Sequence, residues 1–238
     1  MRSRLALLAV VALAGLALSA CQRDPSIAAT VGSEKITEDQ VDAILADAQN
    51  NRPAPASPSA QNPSPAPPGP LRIDRADVVR FLVLDKMCTA DQERRHFAGG
   101  EPVDVAELEG ISADSQYAKL FAHMTACLNG EVTGIAPVTP TDAEVREIYD
   151  RAKAQGIDVP AFDEVKAQLK DNDQVKQRIA IKRSLEDQAR AQGVSISPRY
   201  RPVEVGLLPA DNSQPLPFEG PQLLVATLGQ RPDAIQPF

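Results

Sequence analysis

Eight prolines crowd the eighteen positions of "PAPASPSAQNPSPAPPGP", residues 53–70. Proline has no amide hydrogen to donate, and its ring clashes with the preceding helical turn, so this stretch forms neither an α-helix nor a central strand. It divides the chain into a short leading piece and a long trailing one, and any common core has to be assembled across it. As polyproline II it extends to about 55 Å. It reads as a semi-rigid spacer or inserted loop; a Pro-rich ligand for an unknown partner is the other reading.

The leading piece begins with residues that do not belong to the fold. Arg2 and Arg4 precede "LALLAVVALAGLAL", an apolar run slightly short for a membrane span and without a second basic flank. Residues 1–20 therefore read as a secretory signal. They close on Leu18-Ser19-Ala20-Cys21, which resembles the lipobox of bacterial lipoproteins. That resemblance implies cleavage before Cys21 and a diacylglyceryl thioether on its sulfur; an uncleaved anchor or an ordinary signal is the alternative. Two acyl chains at Cys21 hold a protein on a membrane stably. The expected location is the extracytoplasmic face of a bacterial membrane, in the cell envelope.

Cleavage leaves 23 basic residues against 32 acidic, a net charge of −9. An acidic chain without a basic cluster excludes nucleic acid as a partner and a polybasic grip on anionic lipid. There is no Trp and aromatic residues make up 4%, too few for an extended platform for sugars or bases. With Cys21 acylated, Cys88 and Cys127 remain, and an even remainder outside the cytosol reads first as one disulfide. Its loop closure is worth about 4 kcal/mol in the chain-entropy view. His123, four residues before Cys127, and His96 suggest zinc ligands instead. Cys88 and His96, however, lie about 12 Å apart along a helix, too far for all four to share one ion. No Cys-x-x-Cys pair exists for redox work. No metal or cofactor is expected.

Along the chain, "IAATVGSEKIT" reads as strand, turn and strand. Thr37 then caps a helix, with Gln40 completing a capping box and Val41, Ile44 and Leu45 on one face. Asp74 opens the next helix, where Val78, Phe81 and Leu82 form one ridge and Val79, Val83 and Met87 another. So much apolar girth makes this either a central core helix or a surface for binding something else. A third helix, from Ala113 to Leu128, carries Tyr117, Leu120, Phe121, Met124 and Leu128, and Asn129-Gly130 ends it. Thr141 and Glu144 repeat the capping-box device before Val145, Ile148 and Tyr149. Phe162, Val165 and Leu169, then Val175, Ile179 and Leu185, continue the helical pattern, with a kink or fresh cap at Asn172 or Asp173. Gly193 closes the last helix and Val194 packs back. "VSIS" alternates as a short strand. Residues 201–238 are punctuated by proline and read as an extended arm with "LLVAT" as its strand candidate.

Three pieces, "ATVGSEKITEDQVDAIL", "VTPTDAEVREIYDRAK" and "FDEVKAQL…ISPRY", in that order, resemble the non-catalytic helical portion of SurA/PrsA-type exported foldases. The resemblance spans roughly residues 27–50 and 71–200. It implies a mainly α fold, a SurA N-terminal-like chaperone domain made of an N-terminal β-hairpin and first helix (21–52) and a helical body (71–200); the residues themselves add the Pro-rich insert (53–70) and the extended C-terminal arm (201–238). The family inserts a parvulin-type prolyl isomerase between the second and third pieces; here about a dozen residues separate Tyr149 from Phe162. His96 and His123 fall on helices or their ends, away from any such site. No nucleophile elbow, carboxylate pair or phosphate loop appears, and no enzyme activity is expected.

The expected function is that of a membrane-anchored holdase for unfolded or folding exported polypeptides. Val78, Phe81, Leu82, Val83 and Met87 would be its client-binding ridge, or else its core. A structural or partner-binding envelope lipoprotein is the alternative. Replacing Cys21 with Ser should abolish acylation: mass spectrometry should find a diacylglyceryl adduct at residue 21 in the unsubstituted protein and none in the variant, and an unsubstituted mature chain without that mass would refute the lipidation reading.

Overall fold

The computed structural model describes residues 24–52, 73–105, 110–200, 203–210 and 221–229. The expected signal segment, Cys21 and the Pro-rich stretch lie outside the described residues. Strands β1 (Ile27–Val31) and β2 (Glu34–Thr37) form an antiparallel hairpin turned at Gly32, whose φ of 59° is a conformation glycine adopts without strain. Strand β3 (Ser195–Ile196) arrives from the far end of the chain and pairs with the other side of β1, Ala29 opposite Ile196. The sheet order is β2-β1-β3, so the first strand is the central one.

Helix α1 (Glu38–Asn50) starts where Thr37 Oγ1 accepts from the Gln40 amide at 3.2 Å. Only this half of the expected box forms. Helix α2 (Arg75–Arg95) carries a complete box: the Asp77 amide donates to Asp74 Oδ1 at 2.9 Å, and the Asp74 amide donates to Asp77 Oδ2 at 3.1 Å. Helix α3 (Gln116–Val132), capped by Ser115, begins three residues after the expected start. Phe81 meets Tyr117 and Phe121, Asp85 meets His123, and Cys88 meets Cys127. Both members of these pairs ascend together, so α2 and α3 run parallel, and the segment between them has to travel back along their length.

That return path corrects one expectation. Asn129-Gly130 does not end α3, which continues to Val132. Glycine is there because the returning chain passes against it: the Gly100 amide donates to the Ala126 carbonyl at 2.7 Å, and Asn129 Nδ2 donates to the Glu101 carbonyl at 2.7 Å. A Cβ on Gly130 would collide with the Ala98 carbonyl oxygen.

The two ridges of α2 are core. Val78, Val79, Phe81, Leu82, Val83 and Met87 are all buried, Phe81 stacking edge-on against Phe121 with ring centroids 5.0 Å apart. Each such side chain contributes about 1.5–3 kcal/mol by leaving water.

Helix α4 (Asp142–Ala154) has the full Thr141–Glu144 box. The same Glu144 also receives Arg183 bidentately, Nε to Oε1 at 2.7 Å and Nη2 to Oε2 at 2.6 Å. Burial alone would raise this carboxyl's pKa, but Arg183 and Thr141 together bring it down to about 2. Helices α5 (Phe162–Asp171) and α6 (Asp173–Ala191) are separate: Asn172 ends one and caps the other, accepting from the Val175 amide at 3.0 Å. After α6, Gly193 is left-handed at φ 62° and the Val194 amide reaches back to the Ala189 carbonyl at 2.9 Å.

The C-terminal part is not the expected extended arm where it is described. Strands β4 (Val203–Pro209) and β5 (Gln222–Leu228) form a second antiparallel pair packed on α4 and α6. Leu224, Ala226 and Leu228 are fully buried. The body is thus mainly helical, with two small antiparallel sheets. Gly130→Ala should lower stability by about 1–3 kcal/mol, because the crossing chain must move aside. A urea midpoint equal to that of the unsubstituted protein would show that the crossing is loose.

Candidate functional site

Helical spacing places Glu131 one turn beyond Cys127 on α3, and Asp91 nearly one turn beyond Cys88 on α2. Since the helices run parallel, the four side chains fall on one level. Cys88 and Cys127 form a disulfide with Cα atoms 6.0 Å apart, stapling α2 to α3. Both are buried, and so are the two carboxylates beside them. Asp91 is satisfied by Arg94 and, at 2.8 Å, by Arg95. Glu131 Oε1 accepts from Gln188 Nε2 and, at 3.2 Å, from Ser184 Oγ, both on α6, with Arg95 at 3.5 Å. Its Oε2 lies 3.9 Å from Cys88 Sγ.

Burial pushes the Glu131 carboxyl above its ordinary value, and the charge of Asp91 adds to this; Gln188, Ser184 and Arg95 hold it back without reversing it. The cluster therefore joins three helices through one carboxyl whose pKa burial raises.

Directly outside Glu131 lies an apolar groove of about 110 Å³ between α3, α6 and β4. Its walls are Leu128, Val132, Ile135, Ile181, Leu185 and Leu207, with Asn129 and Arg178 among the polar lining. Leu128, Val132 and Ile135 are only half-buried. The groove falls well short of the roughly 300 Å³ at which small-molecule pockets begin. It has room for an aliphatic side chain of a polypeptide lying across it.

A larger cleft of about 890 Å³ opens between α4, α6 and the end of β5, lined by Glu147, Arg151, Lys182, Glu186 and Arg190. Its charges neutralise one another. Lys182 lies 2.6 Å from Glu147 and 3.9 Å from Glu186, and Glu186 also accepts from the Thr227 amide at 3.2 Å. Arg151 lies 3.6 Å from Glu147, and Arg190 pairs with Asp187. This is a crevice of paired charges.

His96 is exposed at the left-handed end of α2, φ 55°. His123 is exposed with Nδ1 2.6 Å from Asp85 Oδ1, on the outer side of the α2–α3 pair. Among the described residues no group of three or more His, Cys, Asp or Glu is placed to hold a metal ion, and no helix is long and apolar enough to cross a membrane. The candidate ridge of Val78, Phe81, Leu82, Val83 and Met87 is buried in the core and lines neither of the two clefts described above.

Glu131, Asp91 and the β4 wall were not read from the sequence. The signal for Glu131 was its spacing from Cys127: a residue one turn from a buried cysteine shares its buried face. Compared with models of protein families, with curated proteins and with solved structures, the chain matches none.

A carboxyl whose folded pKa is raised contributes stability fully present below its unfolded value of 4.5 and lost as pH rises through the folded value. Glu131→Gln keeps an acceptor for Ser184 and Gln188 and removes the titration. The variant should therefore gain on the unsubstituted protein as pH rises from about 4 to 8, in urea midpoints at each pH. A difference that does not change with pH would mean that Glu131 titrates normally.

Proposed function

We propose that this is a lipid-anchored, non-enzymatic polypeptide-binding protein of the cell envelope, a holdase related in plan to the chaperone portion of SurA/PrsA-type foldases and lacking their isomerase. The observation that supports it best is the closure of the N-terminal hairpin by the chain that follows the last helix. Strand β3 pairs with β1, the Gly32 amide donates to the Gln192 carbonyl at 2.6 Å, and Arg199 reaches Glu38 at 3.1 Å. In the family the resemblance points to, the N-terminal hairpin packs with helices that arrive much later in the chain, and a late closure of the hairpin is in keeping with that. Residues 155–161 simply join α4 to α5, where the family carries its catalytic domain.

Polypeptide would be held at the groove between α3, α6 and β4. Its apolar walls supply area without a fixed chemical preference, and its open side is rimmed by half-buried Val132 and Ile135. The burial of the α2 ridge favours a second reading, a lipoprotein with one dedicated protein partner. A groove this small engages few side chains, and affinity for unrelated chains falls with the apolar area offered.

The two readings separate in one experiment. Mature protein with Cys21 replaced and Cys88–Cys127 oxidised is mixed with two unrelated unfolding proteins, and light scattering is followed. The holdase reading expects both aggregations to be suppressed at up to equimolar ratio, without acceleration of prolyl isomerisation in a peptide. Suppression should be largely lost in Ile135→Glu at unchanged helical content. Failure to suppress either aggregation overturns it in favour of a dedicated partner.

A further inference from the structure

Asp24 stands three residues after Cys21, and from Asp24 onward the chain is tied to the body. Asp24 Oδ1 accepts from the amide and hydroxyl of Ser26 at 3.0 and 2.7 Å, and the Ile27 amide donates to the Asp24 carbonyl at 3.1 Å. The Ser26 carbonyl accepts from the amide of Glu38, the first residue of α1, at 2.8 Å. Arg199 donates to the Pro25 carbonyl and also pairs with Glu38. Glu38 in turn takes Arg75, at the start of α2, at 2.6 Å. The point where the chain leaves the body therefore lies at one end of the molecule, where the beginnings of α1 and α2 meet the loop at 197–200.

Three residues span at most about 10 Å. From Arg75 to Arg95, α2 rises about 30 Å. Arg95 lies beside Glu131, at the floor of the groove, so tether and groove are at opposite ends of α2.

We propose that the protein stands on the bilayer by its 24–26 and 197–199 end, against lipid headgroups, and that α2 acts as a strut holding the groove about a helix length out into solution. The inference rests on acylation of Cys21, and it assigns the membrane-facing surface of that anchored state. Charge does not make this contact. Asp24, Asp39, Asp42 and Asp74 are exposed at this end, while Arg75 is engaged by Glu38 and Asp42, Arg199 by Glu38, and the charge of exposed Lys35 acts on Asp24. An acidic surface is not drawn to headgroups by its own field, so the acyl chains and the short tether set the distance, and added salt should not release it.

The chain contains no Trp, so a single introduced Trp reports its own position. Pro198→Trp places it in the exposed turn beside Pro25, and Ala136→Trp places it at the exposed rim next to Ile135. Full-length acylated protein is reconstituted into phosphatidylcholine vesicles containing a headgroup spin-labelled lipid, a short-range quencher. Emission is compared with vesicles lacking the label, at low and high salt. The expected result is severalfold stronger quenching of Pro198→Trp than of Ala136→Trp, unchanged by salt. Equal quenching, or stronger quenching at Ala136→Trp, overturns the orientation while leaving the anchor intact. A mature mass without diacylglycerol, in protein that does not float with the vesicles, overturns the inference together with the anchoring reading.

Discussion

Helix α2 is apolar around so much of its circumference that it cannot lie on a surface, and the other elements are arranged to cover it. Phe81 and its neighbours meet α3 on one side, Met87 lies under α6, and the N-terminal hairpin closes another side. Because α2 and α3 run parallel, their link has to retrace their length, and it does so by lying against α3 where Gly130 leaves room. Parallel helices with a tight return need two things that sequence rarely advertises: a glycine inside a helix and a chain segment with few side chains of its own. "AGGE" supplies the second.

Two glutamates show how the same side chain is used in opposite ways. Glu144 caps α4 and meets a bidentate Arg183, so its charge is welcome and the two helices are joined by a charge-assisted pair. Glu131 is buried next to a disulfide and to another carboxylate, and its main partners are neutral side chains of α6. There burial works against the charge and raises the carboxyl's pKa. A buried polar cluster of this kind contributes little net stability, but an ill-fitting partner leaves groups unsatisfied, which fixes how α2, α3 and α6 meet.

Most of the helices were legible because their caps and stripes agree: Thr37, Asp74, Thr141 and Asn172 each stand before a run with helical apolar spacing. The end of α3 was not, because Asn-Gly is read as a stop whenever the neighbouring chain is out of sight. Of the β4–β5 pair, "LLVAT" in β5 was legible, but β4 and the pairing were hidden by proline. Pro202 precedes "VEVGLL" and Pro209 ends it, and Gly206, where a Cβ would press on the Gln222 side chain, interrupts its alternation. The candidate groove was illegible for a different reason. Its walls come from α3, α6 and β4, and Val132 or Leu207 alone is just another aliphatic residue. The sequence could say that 78–87 was apolar on too many sides, but only packing decides that such girth is core.

The central strand of the first sheet is the earliest part of the fold to be made, and one of its two neighbours is among the last. Ala29 must wait for Ile196, and Gly32 for Gln192. A chain synthesised from its N-terminus therefore holds an unfinished strand edge through most of its own production. The hairpin can form at once, but the body cannot lock until the helices between have been laid down and the end of α6 has come back. Closing so long a stretch carries an entropic cost that this pairing must offset. Until it occurs, the protein carries the same liability as any incompletely folded chain: an open edge in search of a strand.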